Sequence, residues 1–142
     1  MAEERLRLAV VGAGIMGSNH VRIGRNLRDA SLVAVVDPDL DRARAAVGTS
    51  GAEVFQRVDQ VVGRIDAAVV AVPTPHHVEI ALELIEGGVH LLVEKPLAAT
   101  AAAGRELVDA AESAGLMLAV GHVERFNPAV ADLPSWVEEP IH

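Results

Sequence analysis

The sequence predicts an α/β fold, a doubly wound parallel sheet in a single domain. Three observations predict it. Short apolar runs rich in Val and Ala recur along the 142 residues, segments of helical period separate them, and Gly or Pro marks most junctions. Hydrophobic residues make up 51 % and aromatic residues only 2 %, so the core is aliphatic. A domain of this length buries roughly two-thirds of the surface its unfolded chain exposes.

The elements follow in order. Leu6 to Val11 is apolar apart from Arg7, as expected of a strand buried on both faces. Ile15 to Leu27 opens after a glycine turn and reads as a helix. Leu32 to Val36 is the second strand. Pro38 to Val47 is a helix with Pro at its first position and Gly48 at its end. Ala52 to Phe55 is a weaker strand, and Ala67 to Val72 a stronger one. Val78 to Glu86 carries Val78, Ala81, Leu82 and Ile85 at helical spacing and stops at Gly87-Gly88. Val89 to Val93 is a strand interrupted by His90. Ala101 to Ala114 starts after Thr100, a good N-cap, and stops at Gly115. Leu116 to Val120 is the last strand. Alternation of this kind implies the sheet order 3-2-1-4-5-6.

The first loop reads Gly12-Ala13-Gly14-Ile15-Met16-Gly17, a G-x-G-x-x-G with a strand before it and a helix after it. Gly12 permits the tight turn, Gly14 lets a pyrophosphate approach the backbone, and Gly17 lets helix and strand pack closely. The helix start favours an anion. Asp37 stands twenty residues beyond Gly17, at the end of the second strand, where a carboxylate accepts hydrogen bonds from the adenosine ribose. Its plain alternative is a helix N-cap before Pro38. Together these features predict a Rossmann-type dinucleotide site. Asp37 would repel a 2′-phosphate, which favours NAD over NADP; Arg42 and Arg44 on the next helix soften that preference and leave NADP possible.

Lys95 is the only lysine, beside 11 arginines. It follows the Val89 to Val93 strand, at the carboxyl edge where open α/β sheets bind ligands. There it could hydrogen-bond a substrate hydroxyl or share its proton; the plain alternative is a solvated strand-end lysine. The Lys95–Pro96 bond is expected to be cis. His20 and His90 read as structural.

Net charge is −8, which argues against nucleic acid or an anionic membrane surface as partner. Two Phe, one Trp and no Tyr provide no base-stacking platform. Without Cys there is no disulfide framework or thiolate metal site. No Cys or nearby carboxylate pair accompanies His76 and His77 to suggest a metal, and these two histidines could simply start a helix. No apolar stretch approaches a membrane span, and the N-terminus lacks the apolar segment of a signal peptide. A cytoplasmic protein is expected.

Four motifs stand in one order: Gly12 to Gly17, Pro73-Thr74-Pro75-His76-His77, Glu94-Lys95-Pro96-Leu97-Ala98, and Gly121-His122-Val123-Glu124-Arg125-Phe126-Asn127-Pro128. Together they resemble the nucleotide-binding half of the glucose–fructose oxidoreductase / inositol dehydrogenase / MocA family (Gfo/Idh/MocA). The last motif looks most like the branch containing sugar-nucleotide dehydrogenases. The resemblance implies NAD(P)-dependent oxidation or reduction of a sugar, sugar nucleotide or polyol. It implies that Gly12, Gly14 and Gly17 take the pyrophosphate, with Ile15 and Met16 as backbone donors, and that Asp37 takes the ribose. It places Pro73, Thr74 and His77 along the cofactor, and Glu94 and Lys95 beside the nicotinamide, with Lys95 catalytic. His122 and Arg125 fall near cofactor and substrate; the alternative for Arg125 is a surface ion pair.

Residues 1–126 are expected to form the dinucleotide-binding domain and 127–142 an exit segment, whose three prolines forbid a long helix. Family members carry a second α/β domain that binds substrate, often builds the oligomer and supplies a catalytic histidine. The 142-residue chain is expected to lack that domain and to be inactive alone. Two other readings stay open: a stand-alone NAD(H)-binding or sensing module, and a relic with a stable fold and no ligand.

Overall fold

The computed structural model describes residues 5–132. Six parallel strands form one sheet in the order β3-β2-β1-β4-β5-β6. They are β1 (Leu6–Val11), β2 (Ala30–Val36), β3 (Glu53–Phe55), β4 (Ala67–Val70), β5 (His90–Val93) and β6 (Leu118–Val120). The helices are α1 (Ile15–Gly24), α2 (Leu40–Val47), α3 (His77–Glu86), α4 (Ala101–Ser113) and the four-residue α5 (Pro128–Ala131).

Side chains alternate across each strand, and here both faces are covered. Ala9 and Val11 point into one apolar cluster with Leu84 and Ile85 of α3 and Leu107 of α4. Leu8 and Val10 point into another with Val21 of α1 and Ala43 and Val47 of α2. The nearly continuous apolar run of β1 is thus the signature of a strand with helices on both sides. The strand order reverses between β1 and β4, which gives the sheet its switch point: α1 and α2 serve one wing, α3 and α4 the other.

Several boundaries differ from expectation. Helix α1 ends at Gly24 rather than Leu27, because the Asn26 side chain donates to the Arg22 carbonyl at 3.0 Å and closes the turn. Helix α2 begins at Leu40, not Pro38. Asp39 caps it, accepting the N–H groups of Asp41 and Arg42 at 3.1 and 3.0 Å. Strand β6 is shorter than Leu116 to Val120, because the Leu116 N–H closes on the Ala111 carbonyl and the Met117 N–H on His90 Nδ1. Thr100 caps α4 as expected. Residues 133–142, with Trp136 and most of the expected exit segment, lie outside the described residues. Among the described residues no helix is long and apolar enough to cross a membrane.

Candidate functional site

One row of hydrogen bonds assembles the site. The residue after each of β1, β2, β4, β5 and β6 makes one further rung with its neighbour. Gly12 N–H donates to the Val36 carbonyl, Asp37 N–H to Phe55, Ala71 N–H to Val11, Glu94 N–H to Val70 and Gly121 N–H to Val93, all at 2.7 to 2.9 Å. Residues scattered from position 12 to position 121 therefore stand along one carboxyl edge. Sequence spacing alone does not show that alignment.

The glycine loop is tight where it must be and open where a ligand would come. Gly12 has φ +92°, and a Cβ there would lie 2.6 Å from the Ala71 oxygen. A Cβ at Gly17 would lie 1.7 Å from the Gly12 oxygen, so helix α1 can approach β1 only with glycine there. Gly14 has nothing within 4 Å of where its Cβ would stand. No side chain caps α1, which leaves its first N–H groups facing outward. Ile15 is 86 % exposed at this mouth, beside Met16.

Asp37 is 3 % exposed. Its carboxylate accepts the N–H of Ala13 at 2.7 Å and of Asp39 at 2.8 Å, and two bonds from the Arg42 guanidinium at 2.6 and 3.1 Å. It does not cap α2; the capping alternative is corrected to Asp39. Burial pushes the carboxyl up, and the bonds from Arg42, Ala13 and Asp39 outweigh it, so Asp37 titrates below the usual carboxylate value.

A cleft of about 980 Å³ runs from Asp37, Arg42 and Arg57 past Gly14 and Met16 to Pro73 and His76. Arg57 is neutralised by Asp59 on the cleft wall. Arg42, Arg57 and His76 are lining residues that sequence reasoning left outside the proposed site. Arg42 carried a signal, five residues after Asp37, and His76 stood in the Pro73–His77 motif; Arg57 carried none.

The remaining expected residues sit beyond the cleft. Thr74 opens a short 3-10 turn, Thr74–His76. His77 does not line the cleft: it is 1 % exposed, with Nδ1 2.9 Å from the Pro96 carbonyl oxygen and Nε2 2.8 Å from that of Val72. Its neighbour His76, the last residue of that 3-10 turn and the N-cap of α3, lines the cleft instead. Glu94 is likewise buried, at 5 % exposure, against His20. The Lys95 side chain is exposed and makes no hydrogen bond among the described residues. The bond that follows it is cis, as expected. His122 and Arg125 are exposed after β6, and Arg125 packs over the Phe126 ring at 5.4 Å. The described residues hold no cluster of three metal-ligating side chains.

This geometry has known counterparts. Residues 6–122 match the family model described as an oxidoreductase family with an NAD-binding Rossmann fold, Gfo/Idh/MocA. The chain belongs to the Gfo/Idh/MocA family. Over 138 residues it is 44 % identical to inositol 2-dehydrogenase 4 of Saccharopolyspora erythraea, covering 94 % of this chain and 41 % of the relative. It superposes on UDP-N-acetylglucosamine 3-dehydrogenase of Acidithiobacillus ferrooxidans with a TM-score of 0.85 at 28 % identity, covering 94 % of this chain and 43 % of that one. It superposes on GenD2 from gentamicin A biosynthesis, solved with NAD, with a TM-score of 0.80 at 35 % identity, covering 85 % and 35 %. As a Gfo/Idh/MocA chain it is an NAD-binding Rossmann domain, and it spans about two fifths of the length of these relatives.

Proposed function

We propose that the whole protein is an NAD-dependent dehydrogenase of a small polyol or sugar, and that Lys95 is its residue at the reacting oxygen. The placing of Gly14, Asp37 and Lys95 on one sheet edge carries this reading. The residues fit a dinucleotide. Gly14 leaves room for a pyrophosphate against uncapped helix N–H groups. Asp37 is held by backbone on one side and by half-exposed Arg42 on the other, so ribose hydroxyls can exchange with the guanidinium bonds. Its ionised carboxylate disfavours a 2′-phosphate, which makes NAD the preferred cofactor and NADP the weaker one.

Bound here, NAD supplies the nicotinamide ring that takes up a hydride from a carbinol carbon. Lys95 donates a hydrogen bond to the carbinol oxygen and stabilises its charge as the hydroxyl proton passes to the catalytic histidine that the family's second domain supplies. Pro73 and Thr74 border the path toward Lys95, and His122 and Arg125 flank it from β6. Residues 1–126 form the dinucleotide-binding domain, and residues 127–142 lead out of it. The names of the relatives point to inositols and sugar nucleotides as substrates. The cytoplasm is the compartment we assign, and any oligomer is assigned to the part of the relatives beyond this chain.

The test is calorimetric titration of the 142-residue chain with NADH and NADPH. NADH binding, tighter than NADPH, is expected; no binding of either overturns the reading.

A further inference from the structure

We propose that His20, acting through Glu94, is a positioning residue for Lys95. The proposal rests on the reading of Lys95 as the residue at the reacting oxygen. His20 lies on α1, the helix that the glycine loop opens. Its Nε2 is 2.7 Å from Glu94 Oε1, and the other carboxylate oxygen of Glu94 accepts the Lys95 N–H at 3.2 Å. The path from α1 to the Lys95 backbone is therefore two hydrogen bonds long.

Three features make this pair more than a packing contact. Glu94 is almost fully buried, and a buried carboxylate is costly unless it is paired, so His20 fixes its orientation. Gly121 makes the room: a Cβ there would lie 3.1 to 3.2 Å from the Glu94 carboxylate, so the end of β6 is shaped around it. On the far side of Lys95, the Pro96 carbonyl oxygen lies 2.9 Å from Nδ1 of buried His77. The residues before and after Lys95 are thus each tied to a histidine, one on α1 and one on α3. The Lys95 side chain between them is exposed and has no partner among the described residues.

A solvated lysine needs no such anchoring. A lysine whose ammonium must meet a reacting oxygen at a set distance does, since a displacement of about 1 Å can cost roughly 100-fold in rate. Because the anchor is α1, the position of Lys95 is keyed to the same helix whose start takes the pyrophosphate. His20 touches neither cofactor nor substrate; it acts through Glu94.

Lys95 is the only lysine, so lysine-selective 15N labelling of the 142-residue chain gives one side-chain resonance. In the unsubstituted chain, the Lys95 amide should be protected from exchange, and NADH should shift the Lys95 Nζ resonance. In His20→Ala, the amide should exchange at least tenfold faster and the NADH-induced shift should fall by half or more. NADH affinity should change by less than threefold, because the glycine loop and Asp37 are intact. His20→Gln, whose side-chain amide reaches the same carboxylate, should restore both signals. If His20→Ala does not fold, His20→Leu, of similar bulk and without a donor, takes its place. Unchanged exchange and shift in the donor-free variant, or no recovery in His20→Gln, overturns the proposal. If the unsubstituted chain does not bind NADH, the proposed function fails, while the exchange measurement still decides whether His20 holds Lys95.

Discussion

The backbone N–H of Ala13 donates to Asp37 Oδ2 at 2.7 Å, so the glycine loop and the end of β2 are one hydrogen-bonded unit. Both groups are buried. Asp37 consequently holds the loop, a task separate from the ribose contact proposed for it. Asp37→Ala should lower NADH affinity at least tenfold and also destabilise the fold by about 1–3 kcal/mol, the cost of an unpaired buried donor. Asp37→Asn keeps an acceptor for Ala13 and should recover more of the stability than of the affinity. Calorimetry and thermal melting of the same samples separate the two tasks; an unchanged dissociation constant in Asp37→Ala would count against the ribose assignment.

The glycines of the loop should behave oppositely. Gly17→Ala drives a methyl group onto the Gly12 carbonyl and should cost several kcal/mol of stability, on the order of other overpacked sites. Gly14→Ala meets nothing and should melt within a few degrees of the parent chain, yet bind NADH much more weakly. Equal melting temperatures for the two variants would contradict the loop geometry.

Acid should unfold the domain through identifiable carboxylates. Side-chain and backbone hydrogen bonds from Arg7 hold Asp66 at a pKa of about 2, and Asp37 is also lowered. For carboxyls lowered on folding, the stabilisation is complete above the unfolded value of about 3.9 and is lost as pH falls through the folded value. The loss should therefore fall between about pH 4 and pH 2 for Asp66. Asp66 and Arg7 are partly exposed, so salt should shrink the effect. Asp66→Asn should lower the melting temperature at pH 5 and leave it nearly unchanged at pH 2, as followed by circular dichroism across that range.

Turnover should follow Lys95 and the rest of the family's length. The 142-residue chain should bind NADH without measurable oxidation of myo-inositol or a UDP-sugar, read as near-ultraviolet absorbance of NADH. Joined to the second domain of an inositol 2-dehydrogenase, it should turn over, and Lys95→Ala should abolish that turnover, since orientation and proton transfer each contribute several powers of ten. Robust turnover by the short chain would overturn the assignment of the substrate pocket to the longer part.

The sequence by itself determined the sheet and the residue types of the glycine loop and of the acidic strand end beside it. Apolar runs such as Leu6 to Val11 demand burial on both faces, and Gly12, Gly14, Gly17 and Asp37 are local requirements of one turn, one close approach and one strand end. A local requirement leaves its mark on the residue type, so it can be read from neighbours in the chain. The tertiary structure decided the partners. His77 and His76 are adjacent in sequence, and only the junction of the 3-10 turn with α3 sends one into the core and the other to the cleft. Glu94 is buried rather than offered to a ligand because His20 lies against it, 74 residues earlier in the chain. Asp39, not Asp37, caps α2 because Asp37 is already engaged with Ala13, 24 residues before it. Contacts between distant residues depend on how the strands are ordered and how the helices turn, and a single sequence carries no record of those distances.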